Sequence, residues 1–295
     1  MNACASGKCT PDLSAVSEIA GCGMLELVMA PGTLYALSTK KAALYAIATP
    51  AGGAPTAVAT GLKGGVAFAV DATNAYVATG KSVTQVNLAS GAKTVLVTEV
   101  NPVFDVAVAA GKIYYATGQA IKQADAATPG TGTSVATSID EGEPRGVAIA
   151  EDRVVYVSNQ SYNVESDPIV GDMHLKIGAS QAGLIFGHRS VQTDGNSVYW
   201  VNGGLQAAQV SGPDLSARTV ASPIDGSPII AFAIDATTKT SYLATMDGRL
   251  EKSEFDLGSD EAIWVARALP AVSSVVLDDS NVYLASQCQI FSSPR

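Results

Sequence analysis

The sequence predicts an all-β fold, a seven-bladed β-propeller with four antiparallel strands in each blade. One segment recurs seven times along the 295 residues, about 40 residues apart. Each copy contains an apolar strand, a tight polar turn and a second strand that carries a tyrosine. Two weaker strand-like runs follow each copy, and helical periodicity is absent. Four short strands per unit of about 40 residues are typical of a propeller blade.

The seven copies share both their pattern and their aromatic position, as in "FAVDATNAYVA" and "VVLDDSNVYLA". The units start near residues 27, 68, 106, 147, 191, 232 and 275. Seven of the ten tyrosines fall at corresponding places, which are Tyr35, Tyr76, Tyr114, Tyr156, Tyr199, Tyr242 and Tyr283. Each tyrosine stands between β-branched or small residues, the composition that strands favour.

An aspartate stands between the first two strands in four of the units, at Asp71, Asp194, Asp235 and Asp278. Such a residue could be a metal ligand or a turn former, because its carboxylate can bond the backbone two residues further on. The other units place alanine there, at Ala30, Ala109 and Ala150. A repeated metal site would not tolerate alanine, so the pattern favours the turn.

The last unit has strands for only three positions, at 275–277, 282–285 and 288–292. The segment "DLSAVSEI", ahead of the first unit, is the one spare strand-like stretch. We therefore expect the N-terminal segment to complete the last blade and close the ring, which leaves no open sheet edge. The chain is then a single propeller domain, 1–295, with a cysteine-containing segment at 1–12.

The four cysteines suit disulfides in an oxidising compartment better than a catalytic thiol. Cys4 and Cys9 could instead be metal ligands, but the second Cys/His pair of a zinc site is missing. In the closed ring, Cys22 follows the fourth strand of blade seven and Cys288 begins its third strand. These two residues would lie at the same end of adjacent strands. We therefore predict a Cys22–Cys288 disulfide and a local Cys4–Cys9 disulfide.

Composition narrows the environment and the partners. The formal net charge is −9, which argues against nucleic acid and against an anionic membrane surface. No apolar run approaches the length of a transmembrane segment. The first residues lack the features of a signal peptide. Together with the cysteines, this predicts a secreted, periplasmic or cell-surface lipoprotein whose signal segment is not part of this sequence.

The units "AVDATNAY", "TDGNSVYWV" and "DDSNVYLAS" resemble repeats of the NHL and YWTD type. They are most similar to secreted or lipid-anchored seven-bladed propellers of bacteria. Only Tyr199–Trp200 carries the aromatic pair of the YWTD pattern. The resemblance implies the fold. Relatives of this kind include protein-binding and peptidoglycan-associated modules, and also lyases and lactone hydrolases that hold a metal at the channel mouth.

One connection, "SNQSYNVESDPIVGDMHLK", is much longer than its counterparts if it joins the second and third strands of unit four. A long loop on a short-loop scaffold is a favoured place for function, which points to residues 159–172. Charged residues in the neighbouring interblade links, and both histidines of the chain, would lie near the same face. The candidate binding residues are Tyr162, Asn163, Glu165, Asp167, Asp172, His174, Glu141, Glu143, Arg145, His188 and Arg189.

Two functions compete, and binding is favoured over catalysis. The first is a non-catalytic propeller without a cofactor that binds a protein, peptide or glycan through the face of the 159–172 loop. The alternative is a metal-dependent lyase or hydrolase that uses calcium or magnesium at the channel mouth. Its metal ligands would be His174, His188, Glu143 and Asp172. A Ser-based hydrolase has no supporting motif. A third reading, a purely structural propeller in a larger assembly, makes no prediction about a site.

Overall fold

The structure, a computed structural model, is the predicted propeller. It describes residues 13–49, 53–136, 143–158, 163–171, 173–179, 190–210, 217–255, 263–266, 269 and 271–295. In these ranges, 28 strands form seven antiparallel sheets of four strands each. No helix in the described ranges is long and apolar enough to cross a membrane. Cys4 and Cys9 lie outside the described residues, so their pairing stays a prediction.

The strands of the first four blades follow one another along the chain. Blade one contains β2 (Leu25–Ala30), β3 (Thr33–Ser38), β4 (Ala43–Ala48) and β5 (Thr56–Thr60). Blade two contains β6 (Gly65–Val70), β7 (Asn74–Thr79), β8 (Ser82–Asn87) and β9 (Lys93–Thr98). Blade three contains β10 (Val103–Ala109), β11 (Lys112–Thr117), β12 (Ile121–Asp125) and β13 (Thr133–Ala136). Blade four contains β14 (Pro144–Ala150), β15 (Arg153–Ser158), β16 (Asn163–Pro168) and β17 (Leu175–Ala179).

The last three blades follow the same order until the ring closes. Blade five contains β18 (Val191–Thr193), β19 (Ser197–Asn202), β20 (Gly204–Gln209) and β21 (Arg218–Ala221). Blade six contains β22 (Ile229–Asp235), β23 (Thr240–Thr245), β24 (Leu250–Glu254) and β25 (Ile263–Ala266). Blade seven contains β26 (Val272–Leu277), β27 (Asn281–Ser286), β28 (Gln289–Pro294) and, from the other end of the chain, β1 (Ser14–Glu18).

The hydrophobic core is a ring of seven separate clusters, one between each pair of neighbouring blades. A blade is covered on both faces, so its second strand is apolar almost throughout, as in β7. The fourth strand lies at the rim and is largely exposed, as in β9. Because of this difference in burial, the first two strands of each unit have a clear apolar pattern in the sequence, and the last two strands have a weaker one.

Polar side chains add bonds between the innermost strands of adjacent blades. Asp105 is buried in β10 and accepts the Val147 amide of blade four at 2.9 Å. Ser274 holds the corresponding place in β26 and accepts the Leu27 amide of blade one at 3.2 Å. These bonds satisfy backbone donors that face the next blade rather than a ladder partner.

The ring closes as predicted. Strand β1 pairs antiparallel with β28 and gives blade seven its fourth strand. Cys22 and Cys288 form a disulfide with a Cα–Cα distance of 5.5 Å across 266 residues of chain. The amide of Ile19 also donates to the Cys288 carbonyl at 2.9 Å. In the chain-entropy model, so long a closure is worth about 5 kcal/mol.

The aspartate between the first two strands is a turn former, as predicted. In blade two, the Oδ1 atom of Asp71 accepts the amides of Thr73 and Asn74, each at 2.8 Å. Its Oδ2 atom accepts the hydroxyl of Tyr76 at 2.6 Å. Blades five and seven repeat the pair, with Tyr199–Asp194 at 2.8 Å and Tyr283–Asp278 at 2.7 Å. The recurring aspartate and the recurring tyrosine are therefore two halves of one contact.

Antiparallel strand order gives the ring two distinct faces. The interblade links and the second-to-third strand turns lie on one face, here called the link face. The first-to-second turns, which carry the aspartates, and the third-to-fourth turns lie on the other, here called the turn face. Strands of six or seven residues separate the two faces by about 20 Å.

Candidate binding face

A β-bulge recurs at the link-face end of the innermost strand in five of the seven blades. A bulge inserts an unpaired residue into one strand and redirects its side chain. The unpaired residues have different chemistry in each blade, although their structural position is the same. They are Val66, Phe104, Arg145, Ile230 and Ser273.

The bulges place Val66, Phe104 and Arg145 at the mouth of the central channel, whereas Ile230 packs against the core between blades six and seven and the Ser273 hydroxyl donates to the Leu25 carbonyl of blade one at 2.7 Å. Each innermost strand is covered by a neighbouring blade on both faces. A side chain on this strand that is not buried is therefore exposed to the central channel or to its mouth. Val66 is 36% exposed, and Phe104, Arg145, Ile230 and Ser273 are half-buried. The scaffold thus presents a varied set of side chains from equivalent backbone positions, as expected of a binding surface.

Arg145 is the charged member of this set, and its position is fixed by two contacts. Its guanidinium lies 3.6 Å from the centre of the Phe104 ring, a close cation–π geometry. Its Nη2 atom donates to Glu143 at 2.5 Å. Phe104 belongs to blade three and Arg145 to blade four, so the pair spans an interblade boundary. The guanidinium edge is a ready donor for an anionic or carbonyl group at the channel mouth.

Exposed apolar side chains concentrate on the link face. Among the described residues, eight large hydrophobic side chains are exposed. Two of them, Val170 and Met173, lie on the turn face, and Val95 lies on the outer strand β9. The other five lie in links, at a bulge or in a second-to-third turn: Met24, Val66, Val100, Ile224 and Met246.

The link face is held in place by bonds between each link and a nearby turn. The amide of Leu62 donates to Ala42 at 2.8 Å, and the amide of Gly80 donates to Gly64 at 3.0 Å. Gly64 and Gly80 both have positive φ, a conformation that glycine adopts without strain. A Cβ on Gly64 would also meet the backbone of Gly80 at 3.4 Å. The links are therefore fixed parts of the scaffold.

A buried arginine fixes the link face at blade six. The Arg249 side chain is 5% exposed and contacts Asp225, Asp247 at 2.7 Å and Glu251 at 3.4 Å. Burial raises the pKa of Glu251 above its usual value, although the Ile224 amide and Arg249 oppose the shift. Because Asp225 belongs to a link and Asp247 to a turn, the cluster connects two segments of the face.

The prediction of a long second-to-third strand loop in unit four is wrong. Asn163, Glu165 and Asp167 form part of the third strand, β16, and are buried there. All six residues of β16 are buried although four of them are polar, so no apolar periodicity marks the strand in the sequence. Strand β16 begins at Asn163, after β15 ends at Ser158, and ends at Pro168, before β17 begins at Leu175.

Asp167 performs in blade four the task that the turn aspartate performs elsewhere. It accepts the hydroxyl of Tyr156 at 2.6 Å, and Ala150 stands at the turn position. Burial, followed by the bond to Asp167, raises the pKa of Tyr156. The Nδ1 atom of His174 lies 3.3 Å from both carboxylate oxygens of Asp167. Asp167 and His174 thus share a compact polar cluster inside the blade.

The expectation that both histidines lie near one face fails for His174. It precedes β17 and lies at the turn face, whereas Glu143 and Arg145 lie at the link face. His174 and Glu143 therefore cannot share a metal ion. The described ranges contain no group of three or more His, Cys, Asp or Glu residues arranged to hold one. Five predicted site residues lie outside those ranges: Glu141, Tyr162, Asp172, His188 and Arg189.

The turn face has a polar cavity of about 470 Å³ between blades six and seven. Its charged lining consists of Asp235, Lys252, Glu254, Asp279 and Arg295. Arg295 pairs with Asp235, and the Lys252 ammonium lies 5.8 Å from the centre of the Tyr242 ring. Burial lowers the pKa of Arg295 from its usual value.

Sequence reasoning missed the bulged residues. A bulge is a register shift between two strands, and it has no periodicity of its own. The one local signal is the small or proline residue beside several of them, such as Gly65 before Val66 and Pro144 before Arg145.

Comparisons with known proteins identify the fold. The structure of streptogramin B lyase superposes with a TM-score of 0.73 at 10% identity, covering 95% of this chain and 96% of that one. A catalytically inactive virginiamycin B lyase from Staphylococcus aureus, solved with quinupristin, gives 0.73 at 10% identity, covering 96% and 99%. The WD40 propeller domain of Doa1 gives 0.70 at 12% identity, covering 95% and 96%.

No protein-family model matches the sequence, and no curated protein matches it. At identities of 10–12%, the structural likeness shows the fold alone. Enzymes and a WD40 domain share this architecture, so the fold does not select between catalysis and binding. The seven-bladed propeller implied by the sequence resemblance is confirmed, and membership of the NHL or YWTD type stays a prediction.

Proposed function

We propose that this protein is a non-catalytic binding propeller that holds a polypeptide partner on its link face, centred on the channel mouth. The observation that carries the proposal is the distribution of exposed apolar side chains, five of eight on this face. Phe104 and Arg145 lie on the same face, in blades three and four. The apolar residues are spread over several blades rather than gathered in one patch, and it is their bias toward this face that favours it as the interaction site.

A polypeptide fits this face better than a small ligand does. The exposed side chains are spread over blades one, two, five and six, whereas a small-molecule site is one deep, enclosed cavity. Aromatic, methionine and arginine residues, enriched in protein interfaces, are all present. Phe104 with Arg145 would supply the central anchor, and the Met and Val residues on the same face the apolar contacts.

We place the protein in an oxidising compartment, as a secreted, periplasmic or cell-surface propeller of the NHL or YWTD type. The Cys22–Cys288 disulfide supports this location. The lyase or hydrolase alternative has no supporting cluster among the described residues. Elemental analysis of the purified protein, with melting temperatures measured with and without a chelator, tests it. A stoichiometric divalent metal whose removal lowers the melting temperature would favour the enzyme.

The binding proposal is tested with peptides selected from a displayed random library on the wild-type protein. The variant Val100→Ser/Met246→Ser removes two exposed apolar side chains from the link face. The matched control, Val170→Ser/Met173→Ser, removes the same two residue types from the turn face. We expect the link-face variant to weaken peptide binding about tenfold or more, and the control to change it little. Weaker binding by the control alone would move the site to the turn face.

A further inference from the structure

Four lysines cluster on the link face of blades one and two. Lys40 and Lys41 form the second-to-third turn of blade one, and Lys81 stands in the same turn of blade two. Lys63 lies in the link between these two blades. All four are exposed. None makes an ion pair with a residue that the structure describes. Together with the exposed Met24 and Val66, the lysines Lys40, Lys41, Lys63 and Lys81 form the basic patch.

Backbone bonds hold the segments of the basic patch side by side. The Lys40 amide donates to Cys22 at 3.0 Å, which places the lysine turn against the disulfide segment. The bond from Leu62 to Ala42 connects the next link to the same turn, and the bond from Gly80 to Gly64 continues the series to blade two. The lysines are therefore carried by fixed turns, and an incoming partner need order only their side chains.

Two acidic groups on the blades of the patch are engaged or buried, and the exposed Glu18 stands at the link-face end of β1 in the neighbouring blade seven. Glu99 follows β9, and its amide donates to the carbonyl of Lys81 at 2.7 Å. Its carboxylate, however, accepts the hydroxyl of Tyr115 and the ammonium of Lys122, each at 2.6 Å. Glu26 in β2 is buried. The exposed carboxylates of Asp225 and Asp247 lie across the ring on blade six.

We propose that the basic patch binds an acidic polypeptide segment that also carries apolar side chains; this rests on the proposed function and names its partner. The argument is charge complementarity. The chain has a formal net charge of −9, yet four of its 18 basic residues stand on one sector of one face without an ion pair to any residue in the described ranges. A positive sector on a negative protein orients a partner and accelerates its association.

Met24 and Val66 select a polypeptide over a nucleic acid or a membrane. Met24 is 54% exposed and its backbone pairs with Thr39, next to Lys40. Val66 follows the link that carries Lys63. A nucleic-acid surface pairs cations with aromatic or donor groups that read bases. An anionic membrane surface would also contact the acidic side chains of blade six on the same face, and it would repel them.

The experiment measures binding of the peptides selected from the random library by wild type and two quadruple variants. The test variant is Lys40→Gln/Lys41→Gln/Lys63→Gln/Lys81→Gln. The control, Lys112→Gln/Lys176→Gln/Arg218→Gln/Lys239→Gln, removes four exposed basic side chains located toward the turn face, with the same change in net charge. Both variants are first compared with wild type by thermal melting.

We expect the selected peptides to be rich in Asp and Glu with apolar residues between them. The test variant should bind them about tenfold more weakly or worse, with a reduced salt dependence, and the control should bind within about twofold of wild type. Equal losses in both variants would overturn the inference, because only net charge would then matter. Tighter lysine-dependent binding of single-stranded DNA or of phosphatidylserine vesicles would also overturn it.

The result separates the inference from the proposed function. If the selected peptides are uncharged, ignore the lysine variant and lose affinity on Val100→Ser/Met246→Ser, the basic patch is not the docking site but the link face still is. If neither the lysine variant nor the Val100→Ser/Met246→Ser variant binds differently from wild type, both proposals are wrong.

Discussion

The tyrosine–aspartate pair is the residue-scale contact that repeats around the ring. In blades two, five and seven, the phenol donates to the turn carboxylate, whose other oxygen holds the turn amides. Blade four keeps the bond by moving the acid to Asp167 on the third strand. The contact is retained in blade four although the position of its acid is not, which indicates that the phenol–carboxylate bond itself matters to the blade.

Replacing Tyr76 with Phe removes one such bond and leaves the ring in place. We expect Tyr76→Phe to lower the free energy of unfolding by about 1 kcal/mol, because a partly buried hydrogen bond to a charged group is lost. Tyr242→Phe is the matched control, because in blade six Asp235 accepts Thr238 rather than the tyrosine. Urea denaturation of both variants measures the difference. Equal losses would mean that the bond contributes nothing beyond the packing of the ring.

The same pairs predict how stability changes at high pH. Burial, with the bond to the carboxylate, raises the pKa of Tyr76, Tyr199 and Tyr283 to about 12. A raised folded-state pKa contributes stability that is complete below the unfolded value of 10 and is lost as pH rises through 12. Between pH 10 and pH 12, the free energy of unfolding should therefore fall more for wild type than for the variant Tyr76→Phe/Tyr199→Phe/Tyr283→Phe. Parallel losses in the two proteins would refute the linkage.

The aspartate of the pair has the opposite pKa shift, so it affects stability at low pH. Burial alone raises the pKa of Asp71, but the bonds from Tyr76, Thr73 and Asn74 outweigh it and bring the pKa below 3.8. A lowered folded-state pKa gives stability that is present above the unfolded value and is lost as pH falls through the folded value. The pair thus supports the fold through the neutral range.

Packing between blades is the main stabilising interaction at the scale of elements. Trp200 in β19 is fully buried and donates from its indole to the Ala179 carbonyl of blade four at 2.8 Å. Gly178 lies against the same ring, and a Cβ there would meet Trp200 at 2.6 Å. The close approach of these two blades therefore depends on the absence of a side chain.

The Gly178→Ala variant should lower the free energy of unfolding by about 1–3 kcal/mol, because the methyl group overpacks the interface. Gly130→Ala serves as the control, since a Cβ at Gly130 meets nothing within 4 Å. Thermal melting of the two variants and wild type compares them. A Gly178→Ala protein as stable as Gly130→Ala would show that the blades can separate without loss.

Ring closure is the second prediction at this scale. Cys22→Ser/Cys288→Ser should still fold, because β1 pairs with β28 through backbone bonds, but it should melt at a lower temperature. The chain-entropy model sets the loss of unfolding free energy at up to about 5 kcal/mol. Wild type measured with reducing agent should match the variant. Peptide mapping without reduction must also recover the Cys22–Cys288 link, and a link from Cys4 or Cys9 to Cys288 would contradict it.

At the scale of the whole molecule, the sequence predicts the ring well and the site poorly. The repeat is visible because its local pattern occurs seven times, the turn aspartates because they recur in four units, and the closing strand because the last unit lacks a fourth strand. The sequence predicts a loop where β16 lies because polar residues, among them Glu165 and Asp167, are buried along this strand. The channel-mouth residues could not be predicted, because the bulges that expose them depend on the register between paired strands. The face on which a loop residue lies depends on strand direction. His174 precedes β17 on the turn face, whereas Glu143 precedes β14 on the link face.

The whole molecule combines a rigid ring with one chemically uneven face. The bulged side chains of Val66, Phe104 and Arg145 lie at the channel mouth, exposed apolar residues are spread over the same face, and the basic patch lies opposite the acidic side chains of blade six. The turn face is largely occupied by contacts that hold the turns themselves. The central claim is therefore that the protein binds its partner on the link face.

Hydrogen–deuterium exchange, with and without a bound library-selected peptide, tests that claim most directly. The account predicts that the peptide slows exchange in the link-face segments 61–65, 99–102 and 222–228. The turn-face segments 71–74, 194–197 and 278–281 should exchange unchanged. Slower exchange confined to the turn-face segments would contradict the account.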